Sequence, residues 1–324
     1  MNKVFVILMV LFTGRLLAGD PVTGWKVEMN KTGGASKAGE NNQVYFEVYN
    51  DKGEKVYSVY KSLPYDVPFP SASVFQAGEL MVVYSFDGFI EFYNNKGELV
   101  NTIKPDYKSK PEYERSIKFA TIDDESVILV SEPERYYTKL LLVASDGEVN
   151  VEREIEGTNA TGVVISESGN LLATGTYSWI DTTFIEQTTF LDNEGNIICK
   201  VPLSFTNGKF NNEDSEFLGF TNSNLFSVDL SDEDIVWSEE LQSDKVITDA
   251  TIENDKIAYI TSDLPILKDG KWFYSKLELE IVDKDGDKIK TQKLPEGMFE
   301  SVEFCKSDRY LLVDIDGKSV RIEE

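Results

Sequence analysis

The chain has 324 residues, with 57 Asp and Glu against 32 Lys and Arg, a formal net charge of −25 and no histidine. So acidic a chain cannot neutralise a phosphate backbone by bulk charge, which argues against nucleic acid as a partner. Without imidazole there is no Ser-His-Asp or Cys-His triad, no histidine-based zinc site and no histidine pH switch.

Met1 to Ala18 reads as a cleaved signal peptide: Lys3 in a short basic region, an apolar run from Val4 to Phe12, then small residues around Leu17-Ala18-Gly19. The run is too short to span a bilayer, which takes about 20 residues. Asp20 stands where a lipoprotein would need its acylated Cys. Cleavage removes Lys3 and Arg15 and takes the formal charge from −25 to −27. The expectation is a secreted or periplasmic protein with no membrane span, residues 19–324 forming one domain.

After the signal comes a strand at Trp25–Asn30, then a hairpin from Gln43 to Lys61. The clearest unit follows: Ser71–Gln76 (a), Glu79–Phe86 (b), Phe89–Asn94 (c) and Glu98–Lys104 (d). Asp87-Gly88 joins b to c as a tight turn, because such dipeptides tolerate positive φ. Alternation such as Val82, Tyr84, Phe86 against Val83, Ser85 puts successive side chains on opposite faces.

Two turn families then recur through the chain. One runs NDKG at Asn50, NNKG at Asn94, SDG at Ser145, DNEG at Asp192, SDED at Ser231 and DKDG at Asp283. Its glycines at 53, 97, 147 and 195 lie 44, 50 and 48 residues apart. The other begins at Gln76, Asp123, Glu167, Asn211, Glu253 and Lys306, at spacings of 47, 44, 44, 42 and 53. One small antiparallel sheet cannot bury both its faces, so copies must stack. Four-stranded units at this period predict an all-β fold, a β-propeller of four-stranded antiparallel blades.

Val228–Trp237, VDLSDEDIVW, resembles a PQQ-like propeller repeat, in which a strand ends in Leu-Asp, turns, and returns to a Trp. Asp87–Ile103, DGFIEFYNNKGELVNTI, resembles the hairpins of exported WD40-like and NHL-like propeller proteins of bacterial type. The resemblance implies the fold. It departs from the PQQ-like pattern at Asp234, where Gly is usual, and carries no PQQ cofactor motif, so no cofactor is expected.

Five copies look complete between Ser71 and Leu294. The C-terminus adds three strands, Met298–Phe304, Arg309–Asp314 and Lys318–Ile322. Trp25–Asn30 is expected to supply their fourth and close the ring, removing free sheet edges. The count favours seven blades, with six as the alternative. Cys199 and Cys305 fall in separate repeats, which favours two free thiols over a disulfide.

In such a fold the b→c and d→a connections share one face. The b→c loops are expected to be longest at Lys31–Asn42 (if Trp25–Asn30 belongs to the first blade), Glu132–Tyr137, Tyr177–Thr182 and Asp263–Phe273. The d→a loops Pro64–Pro70 and Pro105–Glu114 join them. Tyr65, Phe69, Tyr136, Tyr137, Tyr177, Trp179, Trp272 and Phe273 lie on these loops. Aromatics on irregular loops of a rigid scaffold give large contact area at small entropic cost, and so point to a binding surface. The alternative is that they cap the apolar ends of the blades. A protein, peptide or glycan would suit the surface.

DKDGDK at Asp283–Lys288 resembles the first half of a calcium loop, but a hairpin is required there in every blade and no bidentate Glu follows. It is read as an ordinary turn. Asn30 and Asn159 begin formal glycosylation sequons. Among so many carboxylates pairs are inevitable, and no residue stands out as catalytic. The leading expectation is a monomeric, non-enzymatic exported binding scaffold, serving a partner or envelope assembly. The alternative is a carboxylate-based carbohydrate-active enzyme with acids about 5–10 Å apart near the channel.

Overall fold

The computed structural model describes residues 25–32, 40–64, 70–75, 78–84, 89–104, 117–122, 125–132, 136–144, 146–253, 256–305 and 311–322. The signal segment, Tyr65 and Phe69, the Asp87-Gly88 turn and the Pro105–Glu114 connection lie outside them. The chain divides into two compact units. One is built from the described residues of Met1–Lys108 with Ser145–Gly147, the other from those of Ser109–Ala144 with Glu148–Glu324.

In the first unit β1 (Lys26–Thr32), β2 (Asn41–Tyr49) and β3 (Lys55–Pro64) form a three-stranded sheet. Next come β4 (Ser71–Phe75), β5 (Leu80–Tyr84), β6 (Ile90–Asn94) and β7 (Leu99–Ile103), in sheet order β4-β5-β6-β7. These match the four expected strands to within two residues at each end.

The second unit repeats the plan. Its first sheet is β8 (Ile117–Ile122), β9 (Glu125–Glu132), β10 (Tyr137–Ala144) and β11 (Val149–Glu156). Its second is β12 (Asn159–Ile165), β13 (Leu171–Ile180), β14 (Thr183–Asp192) and β15 (Ile197–Val201). A third takes β16 (Asn207–Phe210), β17 (Glu216–Phe220), β18 (Asn224–Asp229) and β19 (Asp234–Glu240). In the fourth, β20 (Lys245–Glu253) and β21 (Lys256–Asp263) pair onward with β24 (Glu278–Asp283) and β25 (Lys288–Lys293). Between β21 and β24 the chain leaves to make β22 (Ile266–Lys268) and β23 (Lys271–Ser275), which form a small sheet with β26 (Met298–Phe299). The last sheet is β27 (Val302–Cys305), β28 (Leu312–Ile315) and β29 (Lys318–Arg321).

Every pairing described is antiparallel, as expected for four-stranded blades. Their middle strands are buried on both faces: Ile257–Ser262 in β21 and Phe217–Phe220 in β17 have no exposed member. The last strands alternate toward solvent, as in β19 and β25. Apolar clusters form where consecutive sheets meet. Val44, Phe46 and Val48 pack with Val74, Met81 and Val83 in the first unit. In the second, Phe190 and Val201 pack with Phe217 and Phe226, and Leu279 and Ile281 with Val313 and Ile315. Stacking thus buries what a single sheet leaves open.

Two expectations are corrected. Trp25–Asn30 does not join the C-terminal sheet: β1 pairs with β2 over its whole length, from Lys26↔Tyr49 to Thr32↔Gln43. That pairing carries Val27 into the cluster of Val44, Phe46 and Val48, with Trp25 against it. Nor is Met298–Phe304 one strand. The Asp316 carboxylate accepts from the N–H groups of Glu300 and Ser301, both at 2.9 Å, and breaks the ladder there. Met298–Phe299 then pairs with β23 and Val302–Cys305 with β28.

The recurring c→d turn has a physical basis at its first residue. Asn50 Oδ1 accepts from Lys52 N and Glu54 N, Asn94 Oδ1 from Lys96 N and Glu98 N, and Asp192 Oδ1 from Glu194 N and Asn196 N. Asp283 Oδ1 does the same with Asp285 N (3.1 Å) and Asp287 N (2.8 Å), so DKDGDK forms the same side-chain-closed turn. Glycine supplies the left-handed residue at 53, 97, 195 and 286, whereas in SDED it is Glu233, at φ 57°.

Candidate functional site

The expected site residues lie at the b→c ends of sheets in the second unit, apart from Tyr65. Tyr136 precedes β10 in a left-handed conformation (φ 62°) and is 75% exposed. Tyr137 opens β10, paired across to Glu132 and Glu156.

Tyr177 and Trp179 are not on an irregular loop. β13 and β14 run ten residues each and turn only at Asp181-Thr182, with Asp181 at φ 55°. Their inner neighbour β12 stops opposite Tyr177 and their outer neighbour β15 stops opposite Thr188. Ser178–Gln187 therefore projects as a two-stranded ribbon. Trp179 pairs with Phe184 across it, ring centroids 4.9 Å apart, and Tyr177 lies 5.4 Å from Phe184. Trp179 is 51% exposed and Phe184 44%. Ile180 and Ile185, on the opposite face, are exposed as well. Burial at the ribbon's base pushes the Tyr177 phenol and the Glu186 carboxyl above their ordinary values.

Trp272 and Phe273 likewise sit on a strand. The Asp263–Phe273 connection holds a hairpin, β22 to β23, turning at Asp269-Gly270 with both residues at positive φ. Leu264, Ile266 and Leu267 are exposed, whereas Trp272 and Phe273 are half-buried. At its base the Asp263 carboxylate accepts from Lys245 Nζ (2.9 Å) and Lys276 Nζ (2.5 Å). These bonds lower the Asp263 carboxyl from its ordinary value.

Six exposed apolar residues escaped the sequence reading of this surface: Ile180, Phe184, Ile185, Leu264, Ile266 and Leu267. The legible signal was YSWI-DT-TFIE, an apolar run on each side of a two-residue turn, which is a hairpin pattern.

Hydroxyls from strands tie down the d→a connections beside the Ser178–Gln187 ribbon. Thr138 Oγ1 donates to Gly157 O (2.7 Å), Thr176 Oγ1 to Glu156 O (2.8 Å) and Thr188 Oγ1 to Leu203 O (2.6 Å). The Ser178–Gln187 ribbon thus rises from a fixed base. Carboxylates elsewhere in the unit serve structure. Asp249 accepts from Phe304 N (2.7 Å) and Ala250 N (2.8 Å), and the Tyr259 hydroxyl lies between Glu239 and Glu280. Cys199 and Cys305 are free thiols. Among the described residues no three His, Cys, Asp or Glu are grouped to hold a metal ion, and no helix is long and apolar enough to cross a membrane. What the b→c ends offer is contact area.

No protein-family model matches the chain, and no curated protein matches its sequence. Its fold is similar to that of Sqt1 from Chaetomium thermophilum, at 12% identity over 90% of this chain and 76% of that one, with a TM-score of 0.54. It is also similar to the Dos1 propeller, at 14% identity over 86% and 74% of the two chains and a TM-score of 0.52. A weaker likeness, to Raptor from Chaetomium thermophilum, has 11% identity and a TM-score of 0.46 and covers 92% of this chain. The chain spans 29% of Raptor's length. With the antiparallel sheets, the first two establish a β-propeller fold. At such identities they establish the fold alone.

Proposed function

We propose that this chain is an exported, non-enzymatic binding scaffold that takes a protein, peptide or glycan at the b→c ends of its second unit. One observation carries this reading: two hairpins, Ser178–Gln187 and Leu264–Ser275, present large apolar side chains to solvent, the first from a base tied by the Thr176 and Thr188 hydroxyls and the second from one tied by the Asp263 ion pairs. A rigid platform bearing exposed aromatics contributes contact area while losing little side-chain entropy on binding. Tyr136 extends the surface, and Tyr137, Tyr177, Trp272 and Phe273 support it. Export rests on the basic, apolar and small-residue pattern of Met1–Ala18. The WD40-like and PQQ-like resemblance of Asp87–Ile103 and Val228–Trp237 suits an exported propeller of bacterial type.

The test is a glycan array and a displayed peptide library, each probed with the parent chain, Trp179→Ala and Trp272→Ala. Ligands selected by the parent are expected to weaken on both variants. Full retention by both overturns the assignment of the surface.

A further inference from the structure

The ribbon has a property beyond exposed aromatics: one of its edges is open. At the inner edge, Thr158 N–H donates to Tyr177 O (3.1 Å) and to Ser178 Oγ (3.0 Å), so the d→a connection covers its start. At the outer edge, β15 leaves the ladder at Val201, opposite Thr188, because Pro202 follows and has no N–H to continue it. Among the described residues no strand pairs with the outer side of Thr183–Gln187.

Which backbone groups face that edge follows from the register. Tyr177 directs its carbonyl at Thr158, away from β14. Its cross-strand neighbour Glu186, and Phe184 two residues earlier, therefore turn their N–H and C=O groups outward. A lone two-stranded ribbon is marginal in water. This one is apolar on both faces, with Trp179 and Phe184 on one and Ile180 and Ile185 on the other.

Charge selects among occupants. Tyr177–Gln187 holds Asp181 and Glu186 and no Lys or Arg, in a chain of net charge −25. A second copy or an anionic lipid surface meets like charge there, and a basic segment meets complementary charge. We infer that the outer edge of Thr183–Gln187 takes an extended segment of a partner protein, alternating apolar side chains and carrying Lys or Arg, as an added antiparallel strand. Backbone bonds at Phe184 and Glu186 would set its register, and Trp179, Phe184 and Ile185 would cover its apolar side chains. This rests on the binding reading above and names the element and the ligand class.

The full chain, panned against a displayed random peptide library, is expected to enrich peptides with apolar alternation and basic residues. A synthesised member of that set, titrated by fluorescence anisotropy, is expected to weaken about tenfold or more on the Trp179→Ala/Phe184→Ala double variant. Glu186→Pro removes an outward N–H and Glu186→Ala keeps it. The former is expected to bind about tenfold more weakly than the latter. Should Glu186→Pro not fold, the same peptide N-methylated at alternate residues replaces it, and one of the two methylation phases is expected to abolish binding.

Equal affinity of the two Glu186 variants, or indifference to N-methylation where that replaces them, overturns strand addition, as do acidic or unpatterned peptides or no enrichment. Self-association lost in the double variant overturns the inference in favour of a second copy. Flotation with phosphatidylcholine–phosphatidylglycerol vesicles, lost in that variant, does so in favour of lipid. Peptide binding lost in Trp272→Ala but kept in the double variant removes the ribbon and leaves the binding surface standing; binding kept in both removes the two together.

Discussion

Asp249 shows how one side chain can join two sheets at a cost that depends on pH. It sits at a bulge in β20, and its carboxylate takes the N–H of Phe304 in β27. Burial pushes this carboxyl above the usual carboxylate range, against the opposing pull of Lys209 and the two backbone donors. A carboxyl whose native pKa exceeds its unfolded one binds more protons in the native state between those two values. Stability therefore falls as pH rises through that window. Asp249→Asn ends the titration while keeping a side-chain acceptor. Its Tm relative to the parent is expected to climb as pH is raised from below the ordinary carboxylate range to neutrality. A difference that stays constant over that range would mean Asp249 does not titrate there.

At the scale of the element, the c→d turns at Gly97, Gly195 and Gly286 both close a hairpin and dock it on the preceding sheet. A Cβ on Gly195 would lie 2.8 Å from Val151 Cγ1 and 3.1 Å from Arg153 Cγ, both in β11. Gly286 approaches Trp237 of β19, and in the first unit Gly97 approaches Ser58 O of β3 in the same way. At Gly97, Gly195 and Gly286 the turn glycine thus answers two demands, a left-handed φ and a close approach, whereas Gly53 in the first sheet answers only the first. Gly317, at φ 77° with open space around it, faces only the first. Gly317→Ala is expected to cost about 1–2 kcal/mol for the backbone conformation. Gly195→Ala, at φ 79°, is expected to cost about 1–3 kcal/mol more for crowding against β11. Urea unfolding of the two variants measures the gap, and equal costs would show that the turn does not dock.

At the scale of the molecule, apolar clusters recur among the described residues where successive sheets of the second unit meet. Stability then accumulates from interfaces rather than from one central core. The 57 acids against 32 basic residues oppose this stacking by self-repulsion. Local pairs such as Lys139–Glu152 and Lys288–Glu280 are partly exposed and offset little of it. Added salt screens charges separated by more than about 10 Å at 0.1 M. Tm is therefore expected to rise between low and moderate ionic strength. A fall would mean that the ion pairs outweigh the excess charge.

The sequence alone determined the repeat. An Asn or Asp five residues ahead of the next strand, with Gly before that strand, closes its own turn through bonds spanning five residues, so no distant partner is needed. Alternating apolar strands between such turns then require neighbours to stack. The tertiary structure decided what depends on distant partners. Lys26–Thr32 alternates well enough for several sheets, and the buried packing of Val27 with Val44, Phe46 and Val48 of β2 chose one. Tyr177–Trp179 and Trp272–Phe273 fell inside stretches that read as irregular loops. They are strands because Phe184 and Ile266 face them in register, and cross-strand pairing is written in both partners at once. The open edge of Thr183–Gln187 was invisible for the same reason: it exists where β15 stops, and only the pairing of β14 with β15 records that.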